Sequence, residues 1–180
     1  MKIDSRIHFI GISGIGMSGI AELMLDKGYL IQGSDVLIND NTKRLKKKGI
    51  KFFLGHNKKN IKTAQIVVFS SAIKKNNPEI KEAFIKKIPV LSRADMLAEL
   101  MKNKKSIAIA GSHGKTTTTS LVGNIFNEAG LDPTIVNGGI INSFSNNNRY
   151  GKGEWMIVEA DESDGTFLKL PHQISIITNL

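Results

Sequence analysis

The residues best suited to chemistry lie together in Ala110-Gly111-Ser112-His113-Gly114-Lys115-Thr116-Thr117-Thr118-Thr119. An apolar run, Ser106 to Ala110, precedes them and reads as a buried strand. A stretch with Leu121, Val122, Ile125 and Phe126 at helical spacing follows. Strand, glycine turn, Gly-Lys-Thr and helix is the layout of a triphosphate cradle. Gly111 and Gly114 let backbone N–H groups approach phosphate oxygens, and the helix start adds free donors and a positive dipole end. Lys115 can reach the β- and γ-phosphates, and the Thr116 hydroxyl suits a magnesium ion. The spacing is shorter than the usual G-x-x-x-x-G-K-[ST], because Ile109 stands where its first glycine would fall. The plainer alternative is a tight strand-to-helix turn with a solvated lysine.

Two further clusters bear on this reading. Gly14-Ile15-Gly16-Met17-Ser18-Gly19 fits G-x-G-x-x-G between an apolar run and a helical one, and Asp35 follows at the end of the next strand. In that setting the motif places a nucleotide diphosphate on a helix N-terminus, with Asp35 set to accept from a ribose or base. The alternative is a glycine turn that only packs a helix closely on a strand. Glu159-Ala160-Asp161-Glu162-Ser163-Asp164-Gly165 concentrates acids at a strand end, where a phosphate-loop protein binds magnesium. Glu159 is the candidate ligand, against the reading of a solvated acidic turn. His113 sits in the phosphate loop and His56 on the edge of the first nucleotide site. His8 alternates with apolar neighbours, as a structural residue does, and His172 lies in a loop. Ser70 and Ser71 end another strand, where they bond a ligand or cap a turn.

The elements that must position these residues alternate. Strands are expected at 7–10, 29–33, 50–53, 64–69 and 89–91, with helices at 17–27, 42–48 and 78–87; Gly28 and Gly49 are stops and Pro78 a start. This order predicts an α/β fold with a parallel sheet covered on both faces. The pattern restarts with a helix at 94–102. The domain boundary is placed near 92–104, giving a first domain of 1–98 and a second of 99–180. Further strands are expected at 134–136, 155–159 and 174–178, and 142–149 is polar and loop-like.

Composition narrows the class. The 180 residues are 41% hydrophobic, enough for packed cores. There is no cysteine, hence no disulfide or thiolate metal site, and no histidine spacing of metal type. The first residues carry no signal peptide, and no apolar run reaches the ~20 residues that span a bilayer, so a soluble, cytoplasmic protein without membrane insertion is expected. The net charge of +9 comes from lysines scattered over helix faces and loops with few aromatics between them. A solvated basic surface explains this better than a nucleic-acid partner. Nothing in the sequence sets an oligomeric state.

Gly11-Ile12-Ser13-Gly14-Ile15-Gly16-Met17-Ser18-Gly19-Ile20-Ala21-Glu22, the shortened loop 111–118 and the string 159–165 together resemble the UDP-N-acetylmuramate–L-alanine ligases, a branch of the Mur ligases. Ser70-Ser71-Ala72-Ile73, Asn77-Pro78-Glu79 and Asn137-Gly138-Gly139 fit as well, so the resemblance covers essentially the whole chain. It implies a Rossmann-like UDP-sugar domain followed by the first part of a P-loop-type α/β ATPase domain. It also implies ATP-dependent amide formation between L-alanine and the muramoyl carboxylate of UDP-N-acetylmuramate, through an acyl phosphate, in peptidoglycan precursor synthesis. Lys115, Thr116 and Glu159 would be catalytic, with Thr116 and Glu159 on Mg2+. Gly111, Ser112, His113, Gly114, Lys115, Thr116 and Thr117 would bind ATP. Gly14, Gly16, Met17, Ser18, Gly19, Asp35, His56, Ser70, Ser71 and Asn137 would line the UDP-sugar site.

Ser13 departs from the family, which usually has glycine there. Members have three domains, and neither the third domain nor the magnesium-holding histidine motif after the final Asn-Leu is in this chain. The 180-residue chain alone is therefore expected to lack ligase activity. A non-catalytic UDP-sugar module is the alternative. A nicotinamide-dependent oxidoreductase rests on the glycine motif alone and is disfavoured by the phosphate loop.

Overall fold

Ile7, Phe9 and Ile10 have no solvent exposure, because their strand is covered on both faces. This strand, β1 (Arg6–Ile10), is central in the first of two compact units, Met1–Arg93 and Ala94–Leu180. The computed structural model describes residues 5–141, 146–160 and 166–179, by backbone alone at 138–141, 146–147 and 166–167.

In the first unit β1 is followed by α1 (Ile15–Asp26), β2 (Leu30–Asp35), α2 (Asp40–Lys47), β3 (Lys51–Leu54), a 3-10 turn at Lys58–Ile61, β4 (Ile66–Phe69), α3 (Pro78–Ile85) and β5 (Val90–Ser92). The sheet order is β3-β2-β1-β4-β5, all parallel. Local chemistry sets the helix ends. Asn39 and Thr42 form a reciprocal capping box on α2. The Asn77 side chain accepts from the Glu79 and Ile80 N–H groups, with Pro78 opening α3. The buried face of α1 presents Met17, Ile20, Ala21, Leu23 and Met24.

Gly33 positions the first candidate site. A Cβ there would lie 2.7 Å from the Phe9 carbonyl oxygen and 2.8 Å from Ile12 Cβ. Only glycine lets the turn after β1 cross β2 this closely. The Gly11 and Ile12 N–H groups then donate to the Ser34 carbonyl at 2.9 and 3.2 Å, tying the turn to the end of β2.

The second unit begins with α4 (Arg93–Met101), whose first residue belongs to the first unit. Then come β6 (Lys105–Ala110), α5 (Lys115–Glu128), β7 (Thr134–Ile141), β8 (Asn146–Arg149), β9 (Trp155–Glu159), the short α6 (Thr166–Lys169) and β10 (Ile174–Ile177). Its sheet runs β10-β6-β9-β7-β8, with only the β7–β8 pairing antiparallel. Val122 and Phe126 of α5 pack against Ile107, Ile109 and Ile157, and Phe126 meets Trp155 edge-on at 5.1 Å.

Two expectations change. The apolar stripe on α5 divides, since Leu121 and Ile125 are 57% and 65% exposed while Val122 and Phe126 face the sheet. The polar stretch expected as a loop contains β8. Its asparagines have weak strand propensity, but edge pairing with β7 and two anchors override it. Asn148 Oδ1 accepts from the Asn137 N–H at 2.9 Å, and the Arg149 guanidinium donates to the Pro133 carbonyl at 2.9 Å and to Asp132 at 2.5 Å. Residues 142–145 lie outside the described residues.

Candidate functional site

Both units carry a glycine turn between a buried strand and a helix. In the first, Gly11 has φ +82° and Gly14 caps α1 in an extended conformation. No side chain caps α1, and its first turn holds no acid, so its opening N–H groups face outward with the dipole's positive end. Gly16 sits under the Arg93 side chain, and a Cβ there would lie 3.0 Å from Arg93 Nη1. A guanidinium over a helix N-terminus concentrates positive charge where a diphosphate would lie. Arg93 was not among the sequence candidates; one arginine in a lysine-rich chain carries no local signal.

Several candidates act differently from expectation. Met17 is buried in the core, Gly19 is enclosed, and the Ser18 hydroxyl donates back to the Ile15 carbonyl at 3.0 Å. These residues offer packing and backbone, not side-chain contacts. The Asp35 carboxylate is committed inside the protein. Oδ2 accepts from the Ser13 N–H at 2.9 Å and the Ser13 hydroxyl at 2.5 Å, while Oδ1 accepts from the Val36 and Leu37 N–H groups at 2.7 and 3.3 Å. Asp35 therefore clamps the glycine turn to β2, and a ribose would have to compete with four internal donors. Ser13, the departure from the family pattern, supplies two of them. Ser70 lies against Gly11, where an added Cβ would come within 3.2 Å of Ser70 Cβ, and Ser71 is exposed beside it.

His56 follows β3 and joins a buried network centred on Glu79, which has no solvent exposure. Ser34 Oγ donates to Glu79 Oε2 at 2.6 Å, Asn60 Nδ2 donates to Oε1 at 2.7 Å, and His56 Nδ1 lies 3.0 Å from Oε2. His8 Nε2 lies 3.4 Å from Oε1. Burial pushes the Glu79 carboxyl up, but these neighbours, His8 first, outweigh it and hold the group below the ordinary glutamate range. In sequence Glu79 carries no distinct signal, because an acid in a helix's first turn is usual.

In the second unit Gly111 has φ +131°, and Gly114 caps α5 in the left-handed region at φ +81°. The loop is held from beyond β10. Thr178 Oγ1 donates to the His113 carbonyl at 2.5 Å, Asn179 Nδ2 donates to the same oxygen at 3.1 Å, and the His113 N–H donates to Asn179 Oδ1 at 3.0 Å. These contacts span sixty-odd residues of sequence and were not foreseen. Ser112, His113 and Thr117 are exposed at the rim. The Lys115 ammonium lies over the loop and donates to the Gly111 and Ser112 carbonyls.

β9 lies beside β6 in parallel register, with Glu159 level with Ile109. That register brings the Glu159 carboxylate to the start of α5, where it accepts from the Thr116 hydroxyl at 3.0 Å. Asn137 is 2% exposed; its Nδ2 donates to the Thr116 carbonyl and to Ser120 Oγ at 3.3 and 3.1 Å, and its Oδ1 is buried with no partner among the described residues. Hydroxyl, carboxylate and an unused amide oxygen are the hard donors magnesium takes, together with phosphate oxygens. The residues present therefore fit the ion. No group of three or more His, Cys, Asp or Glu side chains with metal-binding geometry occurs among the described residues. Asp161, Glu162, Ser163, Asp164 and Gly165 lie outside them. No helix among the described residues is long and apolar enough to cross a membrane.

Fold and sites together define an α/β protein with a glycine turn between a buried strand and a helix at the head of each of two successive sheets. Residues 6–105 match the model of the Mur ligase family, catalytic domain, and the chain belongs to that family. The chain is 60% identical to the UDP-N-acetylmuramate–L-alanine ligase of Methylobacterium sp. (strain 4-46), covering all of this chain and 39% of that protein. Identity to the ligase of the same name from Azorhizobium caulinodans is also 60%, over 97% of this chain and 37% of that one. Among solved structures, UDP-N-acetylmuramate-alanine ligase from Thermotoga maritima superposes with a TM-score of 0.89 at 34% identity, over 97% of this chain and 41% of that one. The chain thus spans about two fifths of the length of these relatives.

Proposed function

We propose that the first unit holds the diphosphate of UDP-N-acetylmuramate and the second holds ATP with Mg2+. The chain then supplies both cradles of a cytoplasmic, ATP-dependent ligase joining L-alanine to the muramoyl carboxylate. One observation carries this reading: the Thr116 hydroxyl and Glu159 carboxylate meet at 3.0 Å, at the mouth of a Gly-x-x-Gly-Lys-Thr turn, across 43 residues of sequence. A solvated turn has no need of an acid held against its threonine.

The geometry supports a role for each residue. Gly111 and Gly114 open backbone donors toward phosphate oxygens, and Lys115 is positioned to exchange its loop carbonyls for those oxygens. Thr116 and Glu159 would hold magnesium, which when bound neutralises charge on the transferring phosphoryl group. Asn137 steadies Thr116 through its amide nitrogen and keeps its oxygen for a ligand. In the first unit the α1 N-terminus, Gly14, Gly16, Ser70 and Arg93 would surround the diphosphate, with Ser71 at its margin and His56 beyond it, past β3. A carboxylate is a poor acyl donor until its oxygen becomes a good leaving group; phosphorylation to an acyl phosphate achieves this, and the alanine amine then displaces phosphate.

The test is calorimetry on the 180-residue chain. UDP binding and magnesium-dependent ADP binding are expected, with the magnesium dependence lost in Thr116→Val. ADP binding that is equal with and without magnesium in the unaltered chain would refute the metal assignment.

A further inference from the structure

The partners of Glu79 fix the proton positions of the two histidines beside it. Gln32 Nε2 donates to the Asn60 carbonyl at 2.8 Å, which fixes it as the amide nitrogen, and it lies 3.2 Å from His8 Nδ1. His8 Nδ1 is therefore an acceptor, and the His8 proton sits on Nε2, facing Glu79 Oε1. Ser34 spends its hydroxyl proton on Glu79 Oε2. His56 Nδ1 has only two neighbours, Ser34 Oγ at 3.1 Å and Glu79 Oε2 at 3.0 Å, and both are left as acceptors. The His56 proton is therefore on Nδ1. Its Nε2 is a lone-pair acceptor. That atom has no hydrogen bond among the described residues and is not among the buried unpartnered atoms, and the ring keeps 16% exposure, so Nε2 faces solvent.

The place is informative. His56 stands just past β3, next to β2, at the ends of the parallel strands where such sheets bind ligands. The glycine turn lies one strand further in, after β1. A nucleotide whose phosphates sit on α1 extends its nucleoside across the ends of β2 and β3. Exposed Val36 and Leu37, directly after Asp35, give that region an apolar wall. Asp35, the usual ribose reader of such folds, is held by Ser13. We propose that His56 Nε2 takes over this reading, accepting from an N–H or O–H of the nucleoside, and that Glu79 is the positioning residue that holds His56 in the Nδ1–H tautomer. This rests on the diphosphate reading of the first unit.

The tautomer and the ligand contact are tested separately. Long-range 1H–15N spectra of the histidine-labelled chain should show His56 protonated on Nδ1 in the unaltered protein. Glu79→Gln offers its amide nitrogen to His56 and should move the proton to Nε2. Calorimetry then compares UDP with inorganic pyrophosphate, which lacks the nucleoside donors. His56→Asn keeps a donor toward Glu79 and removes the distal acceptor. It should weaken UDP about tenfold, the worth of one hydrogen bond, and leave pyrophosphate affinity and the thermal midpoint unchanged. Glu79→Gln should weaken UDP likewise; if that variant does not fold, the spectra of the unaltered chain and His56→Asn decide. An Nε2–H tautomer in the unaltered chain, or equal UDP affinity in His56→Asn, overturns the proposal while leaving the cradle intact. Failure of the unaltered chain to bind either UDP or pyrophosphate overturns the cradle reading as well.

Discussion

Replacing Glu79 by glutamine tests how a buried carboxylate holds the first unit together. An ionised carboxylate offers about four lone-pair sites and no donor. Four donors converge on this one: Ser34 Oγ, Asn60 Nδ2, His56 Nδ1 and, at 3.5 Å, the Asn57 N–H; His8 Nε2 faces it at 3.4 Å without a hydrogen bond. Glutamine removes about half of those acceptor sites and adds two donors. The least costly arrangement keeps the amide oxygen on Asn60 and the Asn57 N–H, facing His8, and turns the nitrogen toward Ser34 and His56. Both can switch to accepting, so no pairing is lost outright, but each bond declines from charge-assisted to neutral. At roughly 0.5–1 kcal/mol per bond, less the burial cost of the charge, the loss is about 2 kcal/mol, or roughly 10 °C in the midpoint of a unit this size. The downward direction of the Glu79 pKa shows that pairing outweighs burial. A folded pKa held below the unfolded one contributes stability above the ordinary glutamate range and loses it as pH falls through the folded value. Differential scanning calorimetry from neutral to acid pH should show the two proteins about 10 °C apart at neutrality and converging at the acid end. A neutral-pH difference under about 2 °C, or a gap that widens in acid, would refute this account.

Gly33→Ala places a Cβ 2.7 Å from a carbonyl oxygen and should cost about 1–3 kcal/mol; an unchanged urea midpoint would show that the turn has slack. Gly16→Ala meets only the mobile end of Arg93, so stability should hold while UDP affinity falls about tenfold as the guanidinium is pushed aside; unchanged affinity removes Arg93 from the phosphate site. Asp35→Asn loses acceptance from Ser13 N–H and hydroxyl at one oxygen, and should lower stability by about 1–2 kcal/mol and increase hydrogen exchange in residues 11–14. Lys115→Met should weaken magnesium–ADP by at least about tenfold and leave UDP binding alone; equal ADP affinity would mean that the lysine only caps its own loop.

The sequence by itself determined what depends on near neighbours. Glycine after a buried apolar strand, and ahead of a helical stripe, marked both strand-to-helix turns, because a close turn there needs a residue without a Cβ and leaves the helix-end N–H groups uncapped by a side chain. Pro78 and Gly28 marked helix ends through fixed φ and freedom at positive φ. Glu159 stood out as a candidate ligand against a solvated acidic turn, from its place at a strand end after a glycine loop; that its carboxylate meets the Thr116 hydroxyl came from the register of β9 on β6. Tertiary structure decided which polar groups remain available. Asp35 has the type and place of a ligand reader, yet the crossing at Gly33 brings Ser13 onto its carboxylate. Glu79 looked like a helix-start acid until the order β3-β2-β1-β4 gathered His56, Ser34, His8 and Asn60 around it. β8, the split stripe on α5 and the Thr178–Asn179 brace have the same origin. A side chain's hydrogen-bonding capacity is set by its chemistry, but its partners come from strands brought side by side across long stretches of chain.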